Sequence, residues 1–180
     1  MCWRSAVALL VILGTAGCGG GDGFAPNTIQ PEEVAGLYNL TTLTFDPMGS
    51  LPNQNILARI DTTFRQLVVS LDTTFQLAFI DPTTQKIEPL EGKYVLEADG
   101  IELVFRTDGD AQLLLLPRRL GLDFDQQAQV LSFGDSVSVS LTRVRQLIPE
   151  FQNEPLSDPL PGDLVVVFRR RSTSQGEARE

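Results

Sequence analysis

The sequence predicts an all-β protein: a single antiparallel up-and-down β-barrel of about eight strands spanning residues 33–170. Three observations predict this fold. Apolar and polar residues alternate with a period of two along most of the region, as they do in strands with one buried face. Turn residues interrupt these runs, several of them 9 to 11 residues apart. The 11 prolines leave little room for long helices.

The first 17 residues have the layout of a secretory signal. Arg4 is the only charged residue before Asp22, and an apolar stretch over residues 6–13 follows it. Small residues at 14–17 then complete the arrangement of a cleavage region. The apolar stretch is too short for a membrane span, which takes about 20 residues. Residues 1–17 are therefore predicted to be a signal peptide.

Residues 15–18, Thr-Ala-Gly-Cys, resemble the lipobox of bacterial lipoproteins. The resemblance implies that the Cys18 thiol receives a diacylglyceryl group and that Cys18 becomes the mature N-terminus. Gly19 rather than Asp follows it, which resembles the default sorting of Gram-negative lipoproteins to the outer membrane. We expect a lipid-anchored protein of the bacterial envelope, on the outer membrane and facing the periplasm. The alternative is ordinary cleavage nearby, with Cys18 left as an unmodified thiol.

Both flanks of the predicted barrel lack apolar periodicity. Residues 18–32, glycine-rich and then punctuated by proline, are predicted to be the lipidated cysteine and a flexible linker. Residues 171–180 have little apolar surface to bury and are predicted to be a disordered tail. We thus predict four segments: 1–17, 18–32, 33–170 and 171–180.

Composition excludes several functions. The chain has no histidine, so it cannot form a His-dependent catalytic triad or a His-ligated metal site. Its 14 Lys+Arg against 23 Asp+Glu give a formal charge of −9. This charge disfavours nucleic acid as a partner and attraction to anionic lipid heads. We therefore expect contact with the membrane through the lipid anchor only.

Alternating runs and turn signals define the elements in order. Leu113–Leu116 reads as a strand that is apolar on both faces, and residues 142–148 as a short helix ended by Pro149. Residues 149–161 are rich in proline and predicted to be irregular. The alternating runs are 36–40, 64–71, 75–79, 93–97, 101–106 and 136–142. Residues 164–168 form a continuous apolar run that ends at Arg169. The turn signals are Asp46-Pro47-Met48-Gly49, Asp61-Thr62, Asp72-Thr73, Asp81-Pro82, Asp99-Gly100, Asp108-Gly109-Asp110 and Gly134-Asp135.

Two strands begin with a Gly-x-Tyr pattern. They are Gly36-Leu37-Tyr38 and Gly92-Lys93-Tyr94, and the second leads into the Asp99-Gly100 turn, predicted to be a type I′ hairpin. These starts resemble the lipocalin-like domains of small bacterial envelope lipoproteins. The resemblance covers residues 34–170 and implies a barrel of that kind.

A barrel of eight strands has room either for packed side chains or for one small ligand. The first hypothesis is that the barrel binds a small hydrophobic or lipid-like molecule, lined by Phe64, Phe75, Phe79, Phe105 and Phe124. The alternative is a structural or assembly lipoprotein with a filled barrel that docks on another envelope protein. The apolar residues at 113–116 are then the first candidate for the docking surface.

Carboxylates are the only candidate catalytic groups. Asp123 and Asp125 lie two residues apart, hence on one strand face, where they can serve as acid and base or bind Ca²⁺. The alternative is that both aspartates belong to a solvent-facing strand or turn and have no catalytic or metal-binding role. We predict that the chain is not an enzyme and has no catalytic residues, metal or cofactor.

Overall fold

A computed structural model describes residues 29–60, 65–82 and 84–172. The predicted signal peptide, Cys18, Phe64 and the last eight residues lie outside the described residues. The described strands are β1 (Gly36–Pro47), β2 (Gln54–Asn55), β3 (Arg65–Val69), β4 (Thr74–Ile80), β5 (Ile87–Leu96), β6 (Gly100–Phe105), β7 (Arg119–Asp125), β8 (Val130–Val139) and β9 (Leu160–Arg170). The helices are α1 (Pro31–Val34), α2 (Asp108–Gln112) and α3 (Leu141–Leu147), with 3₁₀ turns at Leu57–Arg59 and Pro149–Phe151.

The strands close into a barrel, which confirms the predicted fold class. From β3 to β9 each strand pairs antiparallel with the next along the chain, β3 pairs with β1, and β9 returns to β1. Eight strands form the closed wall. The short β2 pairs with β1 beyond the point where β3 ends.

The period-two pattern places one face of each strand in a common core. In β7 the buried residues are Leu120, Leu122 and Phe124, and every residue between them is exposed. The apolar side chains of β9 alternate in the same way. The hydrophobic effect thus fixes which face of each strand points inward, and with it the pairing register.

The two ends of the barrel differ. We call one the turn end: it carries the short turns at residues 70–73, 97–99 and 126–129, and the chain enters the fold there through α1. We call the other the plugged end. It carries the longer connections over residues 48–60, 106–118 and 140–159, which bring α2, α3 and both 3₁₀ turns across the barrel mouth.

Leu113–Leu116 is not a strand, contrary to prediction. The Asp108-Gly109-Asp110 sequence, predicted to be a turn, begins α2 instead, because the Thr107 hydroxyl accepts a hydrogen bond from the Asp110 amide (3.1 Å) and caps the helix. The chain then turns through Leu115, whose φ is 60°, and Leu114–Leu116 are buried in the core. A run of consecutive apolar residues needs to be buried on every side. A segment that fills the mouth of the barrel meets this need as well as a central strand does.

Two other turn predictions need correction. Gly134-Asp135 lies in the middle of β8 rather than between strands. Asp99-Gly100 does lie at a turn, but Gly100 does not have positive φ, so the turn is not type I′. A side chain at Gly100 would overlap the Leu122 carbonyl, so glycine permits close approach of β6 and β7. The predicted helix over 142–148 is confirmed as α3.

Two strand glycines make a matched test of wall packing. A Cβ at Gly92 would overlap the Val104 carbonyl oxygen and the Phe75 ring, whereas a Cβ at Gly121 would meet nothing within 4 Å. We expect Gly92→Ala to lower the free energy of unfolding by about 1–3 kcal/mol through overpacking. Gly121→Ala should change it by less than about 0.5 kcal/mol. Urea denaturation measures both, and equal effects would contradict this account of the packing.

Candidate functional site

Four of the five phenylalanines predicted to line a ligand pocket are described, and all four point inward. Phe75, Phe79 and Phe105 are buried well inside the wall. The rings of Phe75 and Phe105 meet edge to face, with centroids 5.1 Å apart and an interplanar angle of 86°. Phe124 lies at the turn end, where 8% of it is exposed. The structure brings Phe75 and Phe105 into direct contact, and it places Phe79 and Phe124 in the same hydrophobic core.

The interior of the barrel is filled by the chain's own side chains. Several large residues from different strands are less than 2% exposed, so their side chains are enclosed by other protein atoms. Leu114, Val144 and Ile148 close the plugged end from above, and Val34 closes the turn end. The largest of these interior residues are Tyr38, Phe45, Phe79, Phe105 and Phe168.

A surface groove of about 700 Å³ lies at the turn end, beside Phe124. Ile29 and Ala98 contribute the rest of its apolar surface, while α1 and the turns at 97–99 and 126–129 supply its polar rim. Sequence reasoning missed this groove, since its rim comes from three separate segments. Only the apolar Ile29, within the predicted linker, signalled that the fold begins earlier than residue 33.

Two carboxylates at this groove, those of Glu33 and Asp125, accept hydrogen bonds that hold its rim. Glu33 accepts hydrogen bonds from the Gln30 amide (2.7 Å) and from Gln126 Nε2 (2.9 Å). Asp125 accepts from the amides of residues 127 and 128, both at 2.9 Å, and so shapes the β7–β8 turn. Asp123 and Asp125 share the outer face of β7, as predicted, and both are exposed. The role that geometry gives Asp125 is structural.

Tyr38 lies directly beneath the turn end and links α1 to the barrel. Its hydroxyl donates to the Val34 carbonyl (2.7 Å), and the Arg170 guanidinium lies 5.5 Å from its ring centroid. Arg170 also donates to the Ala35 carbonyl and to the Gln129 side chain. Burial raises the pKa of Tyr38 above 10.0, although the positive charge of Arg170 opposes the rise.

This raised pKa predicts a loss of stability at alkaline pH. The folded state keeps Tyr38 protonated more strongly than the unfolded chain, whose tyrosine titrates near 10.0. The resulting stability is complete below that pH and is lost as pH rises through the folded-state pKa. We expect Tyr38→Phe to make the fall in unfolding free energy above about pH 10 less steep. Burial also raises the pKa of Tyr94, so Tyr94 should cause the part of the alkaline loss of stability that remains in Tyr38→Phe. Urea denaturation at several alkaline pH values measures it, and an unchanged slope would contradict the assignment.

A buried ion pair holds the plugged end together. Arg143 Nη2 of α3 lies 2.6 Å from Asp81 Oδ2 in the β4–β5 turn, and the side chains are 10% and 3% exposed. The same guanidinium donates to the Leu113 carbonyl through Nε (3.0 Å) and Nη2 (2.7 Å). Three connections of the plug thus meet at one cation. Burial removes most of the hydration of the Arg143 and Asp81 charges. The ion pair and the hydrogen bonds to the Leu113 carbonyl must together compensate for that loss.

Within residues 29–60, 65–82 and 84–172, no three acidic or cysteine side chains are grouped as metal ligands. The helices of those residues are all too short or too polar to cross a bilayer.

Comparison with known proteins does not add a relative to this picture: no family model matches the chain, and no curated protein matches it significantly.

Proposed function

We propose that this chain is a bacterial envelope lipoprotein, anchored through an acylated Cys18, whose barrel is a non-enzymatic docking module for another envelope protein. The filled interior supports this function best. The largest inward side chains are fully buried, and other residues cover them at both ends of the barrel. A ligand among Phe75, Phe79 and Phe105 would have to displace them, at a cost in packing energy. The outer surface remains for recognition.

The length of the tether limits how far the turn end can lie from the membrane. Ten residues lie between Cys18 and Ile29, where the described chain joins the turn end, so eleven Cα–Cα steps connect the two. Fully extended, they reach at most about 40 Å. Acylation of Cys18 therefore keeps the turn end within that distance of the lipid surface. The wall and the plugged end are then free to meet a partner in the periplasm.

The charge of the turn end favours a protein partner over direct contact with lipid. Six carboxylates at this end outnumber the three arginines at 169–171. Anionic lipid heads repel such a surface. We infer that the tether alone holds the barrel at the membrane. The six residues are Glu32, Glu33, Asp72, Glu97, Asp99 and Asp125.

A second candidate function is binding of a small hydrophobic ligand at the turn end. The groove of about 700 Å³ beside Phe124 favours it, since Phe124 and Ile29 offer apolar surface next to polar rim groups. The ligand would then lie in this groove and not inside the barrel, whose interior stays packed. Loss of binding in Phe124→Ala, with no loss in Phe79→Leu, would support it.

The anchor is tested by mass spectrometry and fractionation in a bacterial host. The full chain should enter the membrane fraction and gain the mass of a diacylglyceryl group at Cys18. Cys18→Ser should release the protein into the soluble fraction, while Cys2→Ser should leave the modification unchanged. An unmodified Cys18 thiol in the mature protein would overturn the proposed anchor.

A further inference from the structure

The barrel wall opens where β7 and β8 separate. Only three residue pairs join them, from Asp123 opposite Ser132 to Asp125 opposite Val130. Beyond these pairs, residues 119–122 of β7 remain bonded to β6, and residues 133–139 of β8 remain bonded to β9. We call the gap between residues 119–122 and 133–138 the wall wedge. The Gly134-Asp135 sequence, which resembled a turn, marks the point of separation.

The β8 side of the wall wedge presents backbone groups that no strand pairs. The Ser136 amide donates to the adjacent Asp135 carboxylate (2.7 Å), and the Ser140 amide to Gln112 Oε1 (3.0 Å), so both point away from β9. Alternate residues of a strand direct their backbone groups to the same side. Gly134 and Ser138 therefore face the wall wedge as well. This half-strand is a template for a further strand.

The surroundings of the wall wedge leave room for side chains of an added strand. On the outer face, a Cβ at Gly121 or Gly134 would meet nothing within 4 Å. On the inner face, Phe133 and Val137 are only partly buried and pack against the core. On the inner face an added strand would thus meet Phe133 and Val137 with Asp135 between them, and on the outer face it would meet open space.

The charges around the wall wedge define the partner. Asp123, Asp135 and Asp163 are exposed there, and Asp163 accepts a hydrogen bond from the Ser136 hydroxyl (2.6 Å). Arg119, on the β7 border, is paired with Glu102 at 2.7 Å. The wedge is therefore acidic. A second copy adding through the same edge would bring like charges together, which is destabilising. A basic strand complements the site.

We propose that residues 133–138 of β8 bind, by β-strand addition, an extended segment of a partner in which Lys or Arg alternates with apolar residues. This inference rests on the proposed docking function and names the partner's chemistry. Main-chain hydrogen bonds to Gly134 and Ser138 supply affinity, and the Ser136 amide adds one by exchanging the Asp135 carboxylate for the partner's backbone. Asp135 supplies selectivity, because an inward-pointing charge on an open edge blocks uncharged strands and accepts a basic one.

The test uses the mature chain from residue 18 with Cys18→Ser, labelled with ¹⁵N. The probes are two synthetic peptides of about eight residues, one alternating Lys and Val and the other Glu and Val. We expect only the Lys–Val peptide to bind, with the amides of Gly134, Ser136 and Ser138 gaining protection from hydrogen exchange. Ser136→Pro, which removes one amide of the edge, should weaken binding about tenfold.

A charge swap keeps the test informative if Ser136→Pro fails to fold. Asp135→Lys should reverse the preference, so that the Glu–Val peptide binds and the Lys–Val peptide weakens about tenfold. Glu97→Lys is the matched control: it makes the same charge change at an exposed turn far along the chain. It should leave both affinities within about twofold.

Three results would overturn the proposal. They are protection that appears outside residues 133–138, an equal effect of Glu97→Lys and Asp135→Lys, and dimerisation of the free chain through this edge. Failure here would leave the filled barrel and the anchored docking module intact, since those are tested separately by ligand content and by acylation of Cys18.

Discussion

Replacing Arg143 with methionine should lower the free energy of unfolding by about 3–5 kcal/mol. The substitution leaves the Asp81 carboxylate buried without its cation, and the Leu113 carbonyl loses two donated hydrogen bonds. Three connections of the plugged end then lose their common contact. Urea denaturation followed by circular dichroism measures the change.

A surface pair makes the control for this prediction. Arg106 and Glu91 lie 2.8 Å apart, but their side chains are 70% and 35% exposed. Arg106→Met should therefore cost less than about 1 kcal/mol. Adding Asp81→Leu to Arg143→Met should restore part of the lost stability, because it removes the buried carboxylate that Arg143 no longer neutralises. A loss for Arg143→Met no larger than that for Arg106→Met would contradict the role of the buried pair.

Phe105→Ala should destabilise the protein by about 3–5 kcal/mol, because it leaves a cavity at the centre of a filled barrel. Phe105 is 1% exposed and contacts Phe75 edge to face. The same cavity should give the variant a property that the native chain lacks, namely binding of benzene or xenon. Urea denaturation measures the first effect, and NMR titration with benzene measures the second.

A phenylalanine at the rim of the barrel, Phe124, provides the control for this prediction. Phe124 lies at the rim and is partly exposed, so Phe124→Ala should cost less than Phe105→Ala and should open the site to water instead. Benzene binding by the native barrel, at a strength equal to that of Phe105→Ala, would show that the interior is not filled.

Strand patterning determined which parts of the fold could be predicted. β7 alternates strictly between buried apolar and exposed residues, so period two indicates a strand and its inward face. The pairing of β7 with β6 and β8 does not follow from that pattern. Where burial is complete, the period disappears. Leu113–Leu116 is apolar throughout and reads as a strand, although it is a plug segment after α2.

The functional surfaces were harder to predict, because they depend on how distant segments meet. The wall wedge arises from the separate registers of β7 with β6 and of β8 with β9, which no local pattern encodes. Gly134-Asp135 did carry a signal, but it was interpreted as a turn. The turn-end groove likewise needs α1 to pack beside turns nearly 70 and 100 residues away in sequence. Four of the five phenylalanines predicted to face the interior are buried there, but the core also contains Tyr38, Phe45 and Phe168, which were not among them.

The central claim, a barrel filled by its own side chains, is tested most directly by native mass spectrometry. The protein would be the chain from residue 18 with Cys18→Ser, purified from a bacterial host without detergent. The account predicts a bare mass that stays unchanged after incubation with fatty acids. A co-purifying mass that disappears on denaturation would contradict it, and would show that the barrel carries a small molecule.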